Sequence, residues 1–522
     1  MRDFILIFSL FFINFSCLFA AENDLMCNCD SCSQQSCALT DSITDDSVGS
    51  VDRDILINDS TIFVDNIKPS LFLAIGQGVM VNTLVWSVDK WILKRPYCST
   101  GWNTFKDNIK RGFVWDCDAL STNFFDHPYH GAQYYNAARV NGFNYFKSSA
   151  LALLGSLQWE ELAETDYPAP NDLFATSIGG TAVGEVMFRI SNIILNNKKQ
   201  RVSRWGRELL NTVVNPIYGV NRLIRGEAWK IDENAYLYHD KMAIPYNMFL
   251  SLGLRCADTK YENSRSNVSM HFKIDYGNWT DLRYNKPFDQ FTMSLTLNPP
   301  AFHIPFFSEF NINARLHGWN LYESEKRKII LSLNQDFTYF NNEKEERFKG
   351  DTRHLLYLAE PSSFGPAVYY QSSCFKGVIS SNIALMGAYT SDYYYRKYNM
   401  GSGFNFKSYL DLNILKTAKL VLDAGFHYLF TWKGYEKDQI KRFQNQGIEP
   451  PYNFVFNQSR KAGDQGYAIY FIIKPRLDFR IFNNFYLSAM AQFVFRNSIY
   501  KYHENVNSRY NEFMLSMSYR IF

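Results

Sequence analysis

Apolar and polar residues alternate one for one through the C-terminal part of this chain. Near the end, Phe513, Leu515, Met517, Tyr519 and Ile521 fall on one side, and Met514, Ser516, Ser518 and Arg520 on the other. A period of two with one apolar face is the pattern of a half-buried β-strand. It recurs in Met270, Phe272, Ile274 and Tyr276, in every second residue from Ala418 to Phe430, and again from Phe485 to Phe495. The longest run pairs Tyr467, Ile469, Phe471, Ile473, Pro475, Leu477, Phe479 and Ile481 with an opposite face that holds Lys474, Arg476, Asp478 and Arg480. Runs of that length outlast the strands of a soluble sandwich. With charge confined to one face, they predict a closed antiparallel transmembrane barrel, lipid outside and a polar lumen within. About 12 strands are expected over 231–522, an outer-membrane barrel in size. Pro475 removes a ladder donor, so a bulge is expected there. Phe522 breaks the phase that Ile521 sets.

Before the strands, residues 69–230 change period. Apolar and small residues come at helical spacing over 71–93, 104–114, 132–141 and 146–164. Asn141-Gly142 is a stop signal. After Tyr167-Pro168-Ala169-Pro170, Asn171 or Asp172 is placed to cap a long helix reaching about residue 195. That helix carries Gly179, Gly180 and Gly184, whose spacing suits close helix packing. Asn82, Asp89 and Lys90 interrupt 71–93, so no segment reads as a clean spanning helix. The fold class expected is therefore mostly β: a C-terminal barrel preceded by an α-helical region that plugs its lumen or caps its mouth.

The first 21 residues change the compartment. Arg2 and Asp3 precede an apolar run and then Ala20 and Ala21, the layout of a signal peptide. Asn14 stands where a lipoprotein signal carries an apolar residue, which argues against acylation of Cys17. Residues 22–68 are rich in Ser, Asp and Asn and read as a flexible segment. Cys27, Cys29, Cys32 and Cys37 crowd into it too irregularly for a zinc site and, outside the cytoplasm, favour disulfides or loose thiols. Cys98 and Cys117 are a further candidate pair. The net charge of +3 gives no reason to expect nucleic acid, and the 34 Tyr and 44 Phe suit the aromatic girdles of a barrel. Outer-membrane lipid is the partner expected; no protein partner and no cofactor is indicated.

Candidate chemistry lies in the helical region. His127 and His130 stand three apart in HPYHG, and Glu160 and Glu164 one helical turn apart in GSLQWEELAET. Like charges at that spacing repel, so a cation or a shared proton is expected beside them. Histidines with carboxylates are suited to general acid–base work or to a divalent metal. These four are the catalytic candidates. Asp116, Asp118, Asn136, Arg139, Asn141, Asp172 and Glu185 form a binding or structural network around them. Glu185 and Arg189 have the spacing of a stabilising helix pair. Asn136, Arg139 and Asn141 are expected to pin the helices to the charged inner wall of the barrel. Neither a Gly-x-Ser-x-Gly elbow nor His-Glu-x-x-His is present.

The segments WDCD, HPYHG, YNAARVNG, WEELAE, NDLFATSIGGTAVGE and NPIYGVNRL resemble a bacterial family of predicted outer-membrane proteins, mainly of Bacteroidetes, catalogued as domain of unknown function 3943. The resemblance covers roughly residues 75–230. It implies an outer-membrane location in a Gram-negative cell and a helical segment joined to a C-terminal barrel, and no established activity. Cys117 departs from it, standing where a polar residue is expected between the two aspartates. Three roles follow as expectations: a barrel closed by its helices; an enzyme acting on lipid, lipopolysaccharide or cell-wall fragments through the His/carboxylate group; or a transport or secretion barrel.

Overall fold

The computed structural model describes residues 69–521, except 116–117, 119, 196–200, 231–243, 260–261, 298–306, 342–355, 394–397 and 446–460. The expected signal peptide, the Cys-rich segment, Asp116 and Cys117 lie outside the described residues. Cys98 is a buried free thiol, and the partner expected for it, Cys117, is not among the described residues.

The alternating half forms β1 (Tyr246–Thr259), β2 (Glu262–Tyr276), β3 (Phe291–Leu297), β4 (Phe307–Glu323), β5 (Arg327–Asn341), β6 (Tyr357–Ser372) and β7 (Phe375–Thr390). It continues through β8 (Tyr398–Asn413), β9 (Ala418–Thr431), β12 (Gly466–Phe482), β13 (Phe485–Tyr500) and β14 (Val506–Arg520). These twelve close into a barrel in the order β1-β14-β13-β12-β9-β8-β7-β6-β5-β4-β3-β2, while β10 (Gly434–Tyr435) and β11 (Gly463–Asp464) make a separate short pair. Every barrel pairing is antiparallel.

Pairing settles which way each side chain points. Leu252 stands opposite Met270 on one side and Met517 on the other, and the same outward set holds Leu254, Leu515, Phe513, Phe471 and Ile473. All but Met270 are exposed apolar side chains. The alternate residues face inward and are polar, buried or half-buried: Arg255 with Glu512, Lys273 with Asp275, Lys407 with Asp336, His427 with Glu360. An apolar outside around a polar inside is the transmembrane barrel that the alternation predicts. Pro475 needs no bulge. Its pairing with β9 is regular, and toward β13 the register is the same on both sides of a two-residue gap at Lys474 and Pro475. The missing donor falls in that gap.

Among the described residues, eight helices precede the barrel: α1 (Leu71–Ser87), α2 (Trp102–Arg111), α3 (His127–Arg139), α4 (Tyr145–Leu162), α5 (Pro170–Phe174), α6 (Gly180–Ile194), α7 (Arg201–Val214) and α8 (Pro216–Ile224). A π turn, Val88–Ile92, extends α1. Another, Thr122–Asp126, leads straight into α3, so His127 is helical despite preceding Pro128. The wider π turn is compatible with a proline that lacks a donor. Ser70 caps α1 by accepting from Leu73 N, and Asn144 caps α4 by accepting from Lys147 N. Gly142, at φ +94°, turns the chain after α3. The expected cap at Asn171 or Asp172 is displaced: Ala169 occupies that position and both polar residues lie within α5.

The helices neither plug the lumen nor cap it. They lie against the outside of the wall. Tyr276, Phe291, Ala314 and Gln335 are directly paired across β2 to β5 and share the outward side with Met270. Yet all four are completely buried. Arg189 of α6 sits 5.6 Å over the Tyr276 ring, and Gln335 binds Tyr145 of α4 and the carbonyl of Ile178. Phe125 packs edge-on against Phe310 of β4. The reason is one of surfaces: the inner wall is charged and already filled, whereas the outer wall offers Ile274, Met293, Leu295, Ile312 and Phe337 to an apolar helix face.

Candidate functional site

α3 organises the polar interior of the helical domain, because opposite faces of it carry different groups. One face presents His127, His130 and Tyr134, the other Tyr135, Asn136 and Arg139. Gly131 sits between, and α6 crosses it so closely that a Cβ on Gly180 would lie 2.6 Å from the Gly131 Cα.

His130 Nε2 is 3.0 Å from Tyr134 Oη. The Asn82 amide nitrogen approaches two acceptors, Gly155 O at 3.4 Å and Gln158 Oε1 at 3.3 Å, which turns its Oδ1 toward Tyr134. Tyr134 therefore donates to Asn82, and His130 Nε2 must carry the proton that reaches Tyr134. The ring lies edge-on to Trp159 at 4.9 Å. Burial, with a smaller contribution from His127, lowers the His130 pKa to about 3. The imidazole is neutral at pH 7 and its Nε2 is committed as a donor.

His127 is held separately. Its Nδ1 is 3.2 Å from Thr176 Oγ1 and its Nε2 3.6 Å from Asp172 Oδ1. The glutamates also part company. Glu160 Oε2 accepts from Ala169 N at 2.9 Å, and Glu164 Oε1 accepts from Trp159 Nε1 at 2.6 Å. Asn108 of α2 donates to the carbonyls of Glu160, Glu161 and Glu164. Among the described residues, no three His, Cys, Asp or Glu side chains gather as metal ligands do.

The strongest electrostatic group centres on Glu185 of α6. Arg139 Nε reaches its Oε2 at 2.9 Å, Arg189 Nε its Oε1 at 2.8 Å, and Tyr135 donates to Oε2 at 2.6 Å. Burial opposes ionisation of this carboxyl, but the two guanidiniums outweigh it and hold the pKa below the usual range. Arg189 then crosses to the loop between β2 and β3, donating to Asp289 Oδ1 and Pro287 O, each at 2.8 Å. That two-plus, two-minus group joins the helices to the barrel.

Asn136 donates to Gly184 O at 3.1 Å and accepts from Asn215 at 2.9 Å. Asn141 donates to Gln77 at 2.7 Å and accepts from Asn221 and Arg225. Asn136, Arg139 and Asn141 thus tie helix to helix and not to the inner wall of the barrel. Asp118 is exposed, and its main-chain oxygen accepts from Tyr398 of β8. Sequence reasoning missed Gln77, Asn82, Tyr135, Asn215, Asn221 and Asp289. Asn215 and Asn221 stand in the NPIYGVNRL segment, so the signal was present. Nothing local marks Asp289, which lies a hundred residues from its partner.

No curated protein matches this chain. Among solved structures it is similar to the NanC porin, at 8% identity over 51% of this chain and 98% of that one, with a TM-score of 0.24. It is similar to the outer-membrane channel DcaP of Acinetobacter baumannii, at 8% over 53% and 96%, TM-score 0.22. A third is the COG4313 outer-membrane channel from Pseudomonas putida F1, at 7% over 53% and 94%, TM-score 0.26. Residues 112–217, which include His127, His130, Glu160, Glu164, Asp172 and Glu185, match the family described as Domain of unknown function (DUF3943).

Proposed function

We propose that this protein is an outer-membrane barrel that does not conduct at rest and that carries, on its outer wall, a helical domain held for a structural or docking role. The observation behind the closed state is contact across the full width of the lumen. β12 and β4 stand six places apart in the ring of twelve, as do β2 and β8. Lys474 of β12 pairs with Glu309 of β4, and Lys273 of β2 donates to Tyr409 of β8 at 3.1 Å. The loop between β2 and β3 adds a second obstruction. Trp279 lies 5.3 Å from the Tyr409 ring and 5.7 Å from that of Tyr369, and the Arg315 guanidinium binds the loop carbonyls of Trp279, Asp281 and Tyr284. Two cavities of about 190 and 220 Å³ lie in the interior, both bordered by Lys273 and Arg476.

The outward apolar belt supports placement in a bilayer, since a water-soluble barrel would bear the full cost of exposing it. The enzyme reading draws less support. His127, His130, Glu160 and Glu164 are each tied into hydrogen bonds of the interior, and none borders the lumen cavities. The test is planar-bilayer recording of the purified full chain. Native protein should show little steady conductance, and Glu309→Ala combined with Tyr409→Ala should raise it severalfold. A large, steady open pore in the native protein would refute the closed-barrel reading.

A further inference from the structure

Two helices of the domain, α1 and α4, bury polar residues beside their small apolar ones and turn large apolar side chains outward. In α1 and the π turn that extends it, Gln77, Asn82 and Asp89 are buried, while Leu71, Phe72, Ile75, Leu84, Trp91 and Ile92 face away from the protein. Phe72 is 86% exposed and Trp91 67%. α4 repeats the arrangement: Ser148, Ser156 and Glu160 point in, and Phe146, Leu153, Leu154 and Leu162 point out. In water this ordering is costly twice over, once for the buried polar groups and once for the bare apolar ones. In hydrocarbon it is the ordering expected, because interior polar groups bind one another and the outside needs only to be apolar.

The covered wall points to the same solvent. On β7, Ile379 and Ile383 are bare, while Met386 and Ala388, farther along the strand, lie under the helices. On β5, Leu333 is bare, and Phe337 and Tyr339 on the same outward side are covered. Four residues of strand span only about 13 Å. The helices therefore begin within the height of the barrel's apolar belt, and their outer faces continue that belt sideways. The stretch Leu71–Ile92 is long and apolar enough to cross a membrane. At 22 residues it measures about 33 Å, against about 30 Å for the hydrocarbon layer.

We infer that the helical domain is immersed in the bilayer beside the barrel, with acyl chains against the outer faces of α1 and α4. This rests on the reading of the barrel as a membrane protein. Gln77, Asn82 and the Glu185 group are then the hydrogen-bonded interior of a lipid-facing helical bundle, and the barrel wall is its far side.

Photo-crosslinking in the full-length protein tests this. p-Benzoylphenylalanine is placed singly at Phe72, Phe146, the barrel position Leu254 and the loop position Arg283, in phosphatidylcholine vesicles. Lipid adducts, read by intact mass, should form at Phe72 and Phe146 within about twofold of Leu254 and at least tenfold above Arg283. Adducts at Leu254 without adducts at Phe72 and Phe146 overturn the immersion and leave the barrel reading intact. No adduct at Leu254 removes both. Crosslinks from Phe72 or Phe146 to another polypeptide also overturn it, since a protein then covers that face. A second check uses brominated phosphatidylcholine: tryptophan quenching in the native chain should exceed that in Trp91→Phe. Equal quenching would place Trp91 outside the hydrocarbon.

Discussion

Glu185→Gln should destabilise the helical domain by about 3–5 kcal/mol, the range for removing one partner of a buried charge group. The glutamine would leave Arg139 and Arg189 facing each other across a neutral amide. Both guanidiniums are buried, and only Arg189 has a second carboxylate, Asp289. Tyr135 would lose its charged acceptor as well. Denaturant unfolding in detergent, followed by the helical circular-dichroism signal, measures the loss. Adding Arg139→Met to the glutamine variant should restore part of it, because the group returns to one cation and one anion. A loss under about 1 kcal/mol would mean that water reaches the arginines and screens them, as at exposed ion pairs.

Gly131→Ala should cost about 3 kcal/mol, the upper end of ordinary overpacking, because what it strikes is backbone. A Cβ there would stand 1.7 Å from the Thr176 carbonyl oxygen, so α3 and the π turn Ala175–Gly179 that precedes α6 would have to separate. Gly180→Ala meets the same crossing from the other side. Gly78→Ala in α1 is the matched control. Its Cβ meets nothing within 4 Å, so it should be neutral or stabilise by a few tenths of a kcal/mol through helix propensity. Equal effects at Gly131 and Gly78 would refute the close crossing of α3 and α6.

Much of the fold was legible because each part of it has its own period. The strand alternation identified a barrel of about twelve strands, with lumen and wall sides assigned correctly in β2, β9, β12, β13 and β14. The expected stop at Asn141-Gly142 holds because glycine at positive φ is a local requirement. The expected bulge at Pro475 failed because the strand could place the missing donor where its ladder is already interrupted. The expected cap at Asn171 or Asp172 failed because a π turn joined α5 to α6, which local capping signals do not register.

The candidate site was legible as residues and not as an arrangement. His127 and His130 are three apart on one helix, yet each turns to different partners, Thr176 and Asp172 for one, Tyr134 for the other. Glu160 accepts from Ala169 N and Glu164 from Trp159 Nε1, contacts that their spacing on the helix does not foretell. The group that joins the two halves, Glu185, Arg139, Arg189 and Asp289, draws on α3, α6 and a barrel loop, and only Glu185–Arg189 is a sequence neighbourhood.

By itself the sequence determined which side of β2, β9, β12, β13 and β14 is apolar and which segments can be helical, since both follow from spacing along one segment. What covers the apolar side was decided by the tertiary structure alone. Ile274 and Leu252 carry the same signal on paired strands, four residues apart in register, yet one is sealed beneath helices and the other is bare. A hydrocarbon chain and the apolar flank of a helix are equally good solvents for such a side chain, so no pattern within a strand distinguishes them.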